Sequence, residues 1–291
     1  MAIFKIQQNK VTQCSIKDDG FGDEFALRDF FADNLEDLLG IRFIEKEYAI
    51  LEGRIDTLGL DENNSPVIIE YKWKENEEVL AQGLFYYNWL ILNKKHFELL
   101  VANKLGQNIK VNWEQPRVIL VARSFGRYIL GAVQQEKHIE LITYHYYQPD
   151  ILHLESVYAP TELKPTKRTV TQDNGEEYSL QYHLNKTSQE MQQRFQTLRE
   201  KILQLSEEIE EKDTQKSGIT YKTTKSFVRF EFSPTWIKVL LRDRSYPVDD
   251  RKLVKDITSN EWGYLGLAKF QPDSDLDYIF KLIKASYEST L

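Results

Sequence analysis

Between residues 23 and 39, Leu27, Phe30, Phe31, Leu35 and Leu38 recur three and four positions apart among polar and acidic residues. That period predicts an amphipathic helix. The pattern then changes: a strand is predicted at about 47–60 and another at 67–73, on either side of "DENNSP", whose Asn, Ser and Pro suit a tight connection. Residues 77–93 return to helical character. The apolar runs "FELLVA" (97–102) and "RVILVAR" (117–123) are expected as strands, followed by a short helix near 126–137 and strands near 139–147 and 151–158. Helix, hairpin, helix, strand, helix, strand is an α/β arrangement around one mixed sheet.

The second half has a different texture. From 159 to 186 two prolines, many polar residues and little periodicity predict a linker, with a short β element at "YSLQYHL". At 187 "TSQE" matches a capping box, with Thr187 as cap and Glu190 three positions on. The helix it opens carries Met191, Phe195, Leu198, Ile202, Leu205 and Ile209 in a regular seam. Such a seam packs either on its own domain, the commoner case, or against a second copy as a coiled coil. Strands "YKTTKSFVRFEF" and "WIKVLLRD" surround Ser233-Pro234-Thr235 as a hairpin, and "SDLDYIFKLIKASYEST" closes the chain as a helix with Ser274 ahead of Asp277. The expected organisation is a domain at 1–158, a linker at 159–186 and a smaller α+β domain at 187–291.

Composition narrows the function classes. The 291 residues are 41% hydrophobic and 29% charged, enough apolar content to build cores and to exclude wholesale disorder. The formal net charge of −7 does not announce a nucleic-acid binder. Acid gathers in "ENEE" (75–78) and "EEIEEKD" (207–213), whereas "KPTKR" (164–168) and "YKTTKSFVRF" (221–230) are basic, so a local surface can still follow a phosphate backbone. A single cysteine, Cys14, excludes an internal disulfide and a multi-cysteine zinc cage. The start lacks a signal-peptide core, and the longest apolar-looking stretch, 83–92, is far too short for a membrane span. A cytoplasmic protein without membrane contact is expected.

One stretch carries chemistry. The strand "VIIEYKW" places Glu70 and Lys72 two apart, hence on one face, with Val67, Ile69 and Tyr71 on the other. Alternating Glu and Lys on a strand is ordinarily a solvated face with a cross-strand ion pair. Asp56 on the preceding strand changes that picture, because a hairpin would bring its carboxylate toward Glu70. Two carboxylates with phosphate oxygens and water form an oxygen-rich shell for Mg²⁺ or Mn²⁺. A neighbouring lysine orients the attacking water or neutralises charge building on phosphorus. Arg54, two before Asp56 and on the same face, either neutralises a phosphate, the reading preferred, or pairs with a carboxylate.

"GRID" followed by "VIIEYKW" resembles the PD-(D/E)XK nuclease superfamily, whose metal site is an Asp followed by an acidic-X-Lys strand. Residues 23–92 resemble most the catalytic domains of NucS-type endonucleases. The resemblance includes Glu24 at the start of the first helix, and Gln82 and Tyr86 four apart in "QGLFY". The position before the Asp departs from the pattern, with Ile55 in place of proline. The resemblance implies an α/β fold with a restriction-endonuclease-like mixed β-sheet core flanked by helices, plus the smaller C-terminal α+β domain. It implies a metal-dependent nuclease acting on DNA, with Asp56 and Glu70 as ligands of Mg²⁺ or Mn²⁺ and Lys72 as the water-orienting or charge-stabilising group. Glu24 would serve a second metal or the water, and Gln82 and Tyr86 would steer phosphate or brace Lys72. Cutting two strands with one site per chain suggests a homodimer. The C-terminal part resembles an uncharacterised domain of proteins labelled "predicted transport protein", a label that no membrane span supports.

Other candidates carry less. His145 and His153 straddle a possible hairpin without a third ligand, Cys14 has no partner, and "SFGR" (124–127) is too short for a phosphate cradle. No G-x-x-x-x-G-K-[ST] loop suggests an NTP requirement. Lys74 and Trp73 extend the catalytic strand, with Trp73 expected in the core. Lys222, Lys225 and Arg229, with Trp236 and Trp262 available for stacking, are expected on a solvated strand face. The alternative of a different class is a catalytically silent nucleic-acid-binding or regulatory module on a nuclease fold, and a third is an interaction scaffold built on the 191–209 seam.

Overall fold

The computed structural model of the chain describes residues 3–7, 10–15, 20–73, 78–148, 150–159, 178–242, 249–257 and 263–291. Lys74, residues 75–77, "KPTKR", Trp262 and most of the expected linker lie outside them. The chain divides into two compact units, Met1–Glu162 and Leu163–Leu291. Among the described residues no helix is long and apolar enough to cross a membrane.

In the first unit an antiparallel hairpin, β1 (Ile3–Gln7) and β2 (Lys10–Cys14), precedes the elements that periodicity predicts. Then follow α1 (Glu24–Asp33), α2 (Leu35–Leu39), β3 (Arg42–Ile50), β4 (Gly53–Leu60), β5 (Pro66–Lys72), α3 (Val79–Leu92) and α4 (Lys94–Leu105). The unit ends with β6 (Arg117–Ala122), α5 (Arg127–Ala132), a 3₁₀ turn (Val133–Gln135), β7 (Ile139–Tyr147) and β8 (Ile151–Tyr158). The six strands from β3 to β8 form one sheet in chain order. β5, β6 and β7 run parallel and the remaining pairs antiparallel, which makes the sheet mixed. Helices cover both faces. Leu27 and Phe31 of α1 pack on Val67, Ile69 and Val121. Leu90 of α3 and Phe97 and Val101 of α4 pack on Ile68, Val118 and Leu120. Parallel strands buried on both faces are uninterrupted apolar runs, which is why "PVII" and "RVILVA" stand out in the chain.

Three expectations are corrected here. The first helix breaks at Asn34 into α1 and α2. The single strand at 47–60 is the hairpin β3–β4, reversed at Leu51-Glu52, where Leu51 is 98% exposed. "FELLVA" is helical: Phe97 and Val101, four apart, are buried, while Leu99 between them is 60% exposed. A six-residue apolar run carries too few turns for its period to separate helix from strand. The "DENNSP" connection is held by Asp61, whose Oδ1 accepts from the N–H groups of Asn63 (2.9 Å) and Ser65 (2.8 Å). Buried Arg117 pairs with Asp61 and Glu140 and ties this end of the sheet together.

The second unit comprises α6 (Leu180–Leu184), α7 (Gln189–Leu203) and α8 (Leu276–Glu288) with six antiparallel strands. These are β9 (Glu210–Gln215), β10 (Gly218–Lys222), β11 (Ser226–Phe232), β12 (Ile237–Leu241), β13 (Lys255–Asp256) and β14 (Gly266–Phe270). "YSLQYHL" is helical rather than β, because the Ser179 hydroxyl caps the Tyr182 N–H. The cap of α7 is Ser188, which accepts from Met191, one residue later than expected. Asp275 rather than Ser274 caps α8. The acidic run after 209 forms β9, and "YKTTKSFVRFEF" folds back at 223–225 into β10 and β11. Met191, Phe195, Leu198 and Ile202 are fully buried in this unit's core, so the seam is not a surface for a coiled coil. Lys222 and Arg229 are buried and pair with Glu210 (3.8 Å) and Glu231 (3.5 Å), which removes the expected solvated face.

His183 gives this unit a pH dependence. It is fully buried with Nε2 2.9 Å from the Asp213 carbonyl, and burial pushes the imidazole down to about 4. An unfolded histidine titrates near about 6.5. Between those values the unfolded chain binds a proton that the folded chain refuses, so stability falls as pH drops through the window. Thermal unfolding by circular dichroism from pH 7 to 4 is expected to show a smaller acid loss in His183→Gln than in the wild type.

Candidate functional site

The site forms where the sheet forks. β4 and β5 pair from Leu60↔Pro66 to Thr57↔Ile69. Asp56 and Glu70 are the next residues on the two strands, and each closes the other's ladder with its side chain. The Asp56 N–H donates to Glu70 Oε1 at 3.0 Å, and the Tyr71 N–H donates to Asp56 Oδ2 at 3.1 Å. Backbone N–H groups in a buried sheet must find partners. The carboxylates supply them, and so two acids converge at the end of an apolar strand.

Helix α3 braces both prongs. Gln82 Nε2 donates to Glu70 Oε2 at 2.9 Å. One turn on, the Tyr86 hydroxyl donates to the Arg54 carbonyl at 3.0 Å and accepts from the Arg54 N–H at 3.3 Å. Gly53 makes room for that contact, since a Cβ there would lie 3.0 Å from the Tyr86 hydroxyl. Tyr86→Phe strands both backbone groups of Arg54, and an expected loss of roughly 1–3 kcal/mol is checked by urea denaturation.

The N-terminus of α1 supplies the third side. Asp23 caps the helix by accepting from the Ala26 N–H at 2.8 Å, which directs Glu24 toward the end of β5. Glu24 Oε1 accepts from Lys72 Nζ and Oε2 from the Trp73 N–H, both at 3.3 Å. Arg54 points outward, with a side chain 56% exposed, and reaches Glu47 at 3.3 Å. Glu47 also accepts from Arg28 at 2.7 Å. It lies between the rungs Lys46↔Thr57 and Tyr48↔Ile55, opposite Asp56, at φ 54. A left-handed non-glycine residue inside a strand carries strain, and its paired arginines hold it there. Arg28 and Glu47 are absent from the residues the sequence singles out. Arg28, four after Glu24 in the helix, left a signal in the spacing, whereas Glu47 left none.

Burial, and next the Asp56 carboxylate, push the Glu70 carboxyl up to about 9. Burial likewise raises Asp56, against the hydrogen bond from Tyr71 and the charge of Lys72, while Glu24 adds to the rise. A fully buried acid beside a half-buried one therefore retains a proton at neutral pH. The donors are all carboxylate oxygens, which suits a hard dication. Mg²⁺ takes one or two protein carboxylates and keeps several waters, so the Asp56–Glu70 pair fits it. Among the described residues no group of three His, Cys, Asp or Glu is arranged to hold a metal. Glu24 is engaged with Lys72. His145 and His153 face each other across β7 and β8 with ring centroids 6.1 Å apart.

Residues 24–100 match the family model described as the endonuclease NucS C-terminal domain. Over 98% of its length the chain is 28% identical to a protein of Haemophilus influenzae described as uncharacterized, covering 98% of that protein. Two solved structures are similar over part of the chain. One is a repair endonuclease from Pyrococcus abyssi, 20% identical over 40% of this chain and 43% of that one, with a TM-score of 0.28. The other is an EndoMS-dsDNA2 complex, 16% identical over 49% of this chain and 64% of that one, with a TM-score of 0.28.

Proposed function

We propose that the first unit is a metal-dependent nuclease that hydrolyses phosphodiester bonds in DNA. The observation that carries the proposal is the fork, where buried Glu70 and half-buried Asp56 come together with Lys72 at the carboxyl end of a parallel strand. The family match supports it, because residues 24–100 include Glu24, Arg54, Asp56, Glu70, Lys72, Gln82 and Tyr86.

Asp56 and Glu70 would hold Mg²⁺ or Mn²⁺, which when bound supplies a polarised water for in-line attack on phosphorus. Gln82 fixes the Glu70 carboxylate, and Tyr86 fixes the β4 backbone that carries Asp56. Lys72 stabilises charge developing on the phosphoryl oxygens. Glu24 positions Lys72 and is the acid available to orient the attacking water. Arg54, exposed beside the fork, binds a phosphate through its guanidinium. One site per chain cuts one strand, so a homodimer serves to cut both. The protein acts in the cytoplasm, and its second unit recognises substrate or partner or pairs the subunits.

The test is cleavage of labelled single-stranded, duplex, mismatched and branched DNA with Mg²⁺ or Mn²⁺, with and without EDTA. Products that require the cation and vanish with EDTA are expected. DNA binding without cleavage on any substrate would favour a silent binding module on the same fold, and neither binding nor cleavage would overturn the proposal.

A further inference from the structure

We infer that Arg123, held by Trp73, forms a second phosphate-binding position that grips the DNA backbone beside the scissile phosphate. The inference rests on the proposed nuclease function and adds one residue, Arg123, outside the matched segment.

β5, β6 and β7 are parallel, so their carboxyl ends open on the same edge of the sheet, where ligands of α/β sheets bind. Lys72 is the last residue of β5 and pairs in register with Ala122, the last residue of β6. Arg123 follows Ala122 directly. Strand spacing and rise separate its Cα from that of Lys72 by about 6 Å, and alternation turns its side chain to the face of Trp73, so the two cations flank the end of the sheet.

The two cations are joined through side chains. Glu24 accepts from Lys72 with one oxygen and from the Trp73 N–H with the other. The Arg123 guanidinium lies over the Trp73 ring, 5.2 Å from its centroid. Stacking on an aromatic face orients a guanidinium and leaves its N–H edge for an oxyanion. Among the described residues Arg123 forms no ion pair with a carboxylate, in contrast to Arg28, Arg54 and Arg117 of the same unit. It also lies at the buried Tyr144 hydroxyl on the neighbouring strand, which its hydrogen bonding and charge draw down against the effect of burial, and its charge is felt by His145 next along that strand. Burial, His153 and Arg123 hold the His145 ring below its ordinary range, against the charge of Glu155. A half-buried arginine fixed by a ring, without an acid among the described residues and one step from Lys72, matches what a DNA strand crossing the sheet edge requires.

The test is fluorescence anisotropy of a labelled DNA duplex with the full chain in EDTA, over about 50–200 mM salt. Wild type is compared with Arg123→Ala and Arg123→Lys, each with its melting temperature measured. Arg123→Ala is expected to weaken binding about tenfold and to lower the slope of log K against log salt by about 0.9, one phosphate contact. Arg123→Lys, which keeps the charge, is expected to retain the slope. An unchanged slope in Arg123→Ala, with or without weaker binding, overturns the inference and leaves the nuclease proposal standing. Should Arg123→Ala unfold, a wild-type slope in Arg123→Gln overturns it equally. Wild-type protein that does not bind DNA overturns the inference, and if it also fails to cleave DNA with Mg²⁺ or Mn²⁺ it overturns the nuclease proposal as well.

Discussion

Lys72→Ala is expected to slow DNA cleavage about 10²–10³-fold, the scale on which loss of one preorganised charge-stabilising group acts. Lys72 is the cation whose charge bears on both Asp56 and Glu70, and it lies at the end of the strand that carries Glu70. Its effect on folding is expected to be small. The side chain is 11% exposed, but its partner Glu24 is 44% exposed and becomes hydrated when the pair is lost. Loss of a pair with one solvated member costs up to about 1 kcal/mol. The melting temperature is therefore expected to stay within a few degrees of wild type while the rate collapses. Lys72→Arg keeps the charge but replaces a compact ammonium with a planar fork, and it restores only part of the rate. Cutting by Lys72→Ala at the wild-type rate would leave the assignment without support.

Glu70→Gln is expected to separate metal binding from folding. The folded Glu70 carboxyl titrates at about 9 against an ordinary value of 4.5. In that window the folded protein holds a proton that the unfolded chain has released. Stability in EDTA is then greatest below the ordinary carboxyl range and falls as pH rises toward 9. Glu70→Gln removes the proton from the balance while keeping an oxygen for the Gln82 amide. Its melting temperature is expected to decline less between pH 5 and 9 than that of wild type.

A dication bound by the pair would displace the proton, because carboxylate ligands bind metal in the ionised form. At pH 8, Mg²⁺ or Mn²⁺ at a hundredfold excess over Kd is expected to stabilise wild type by about 2.7 kcal/mol, with a rise of about 2–4 °C per kcal/mol. Glu70→Gln is expected to show little of that rise. Parallel pH curves and equal metal shifts for the two proteins would show that Glu70 neither holds the proton nor binds the cation.

The hydrophobic pattern by itself determined the α/β class of the first unit and the positions of β5 through β8. β5 and β6, buried on both faces, must be apolar runs throughout, whereas β7 and the partly exposed edge strand β8 stand out by alternation and β-branched and aromatic content. It also exposed Asp56, Glu70 and Lys72, because a charge at the end of such a run has no packing reason to be there. Tertiary structure decided the rest. "FELLVA" became a helix because Phe97 and Val101 found a core on one side, a choice that six residues alone do not contain. The convergence of Asp56 on Glu70 depends on where the β4–β5 ladder stops, and that is set by register and by the grip of α3 on both strands. Glu24 meets Lys72 across 48 residues, and Arg123 reaches Trp73 only because β6 lies beside β5. Local sequence encodes period and propensity, whereas these contacts join residues far apart in the chain, and only the packed sheet brings them within hydrogen-bonding reach.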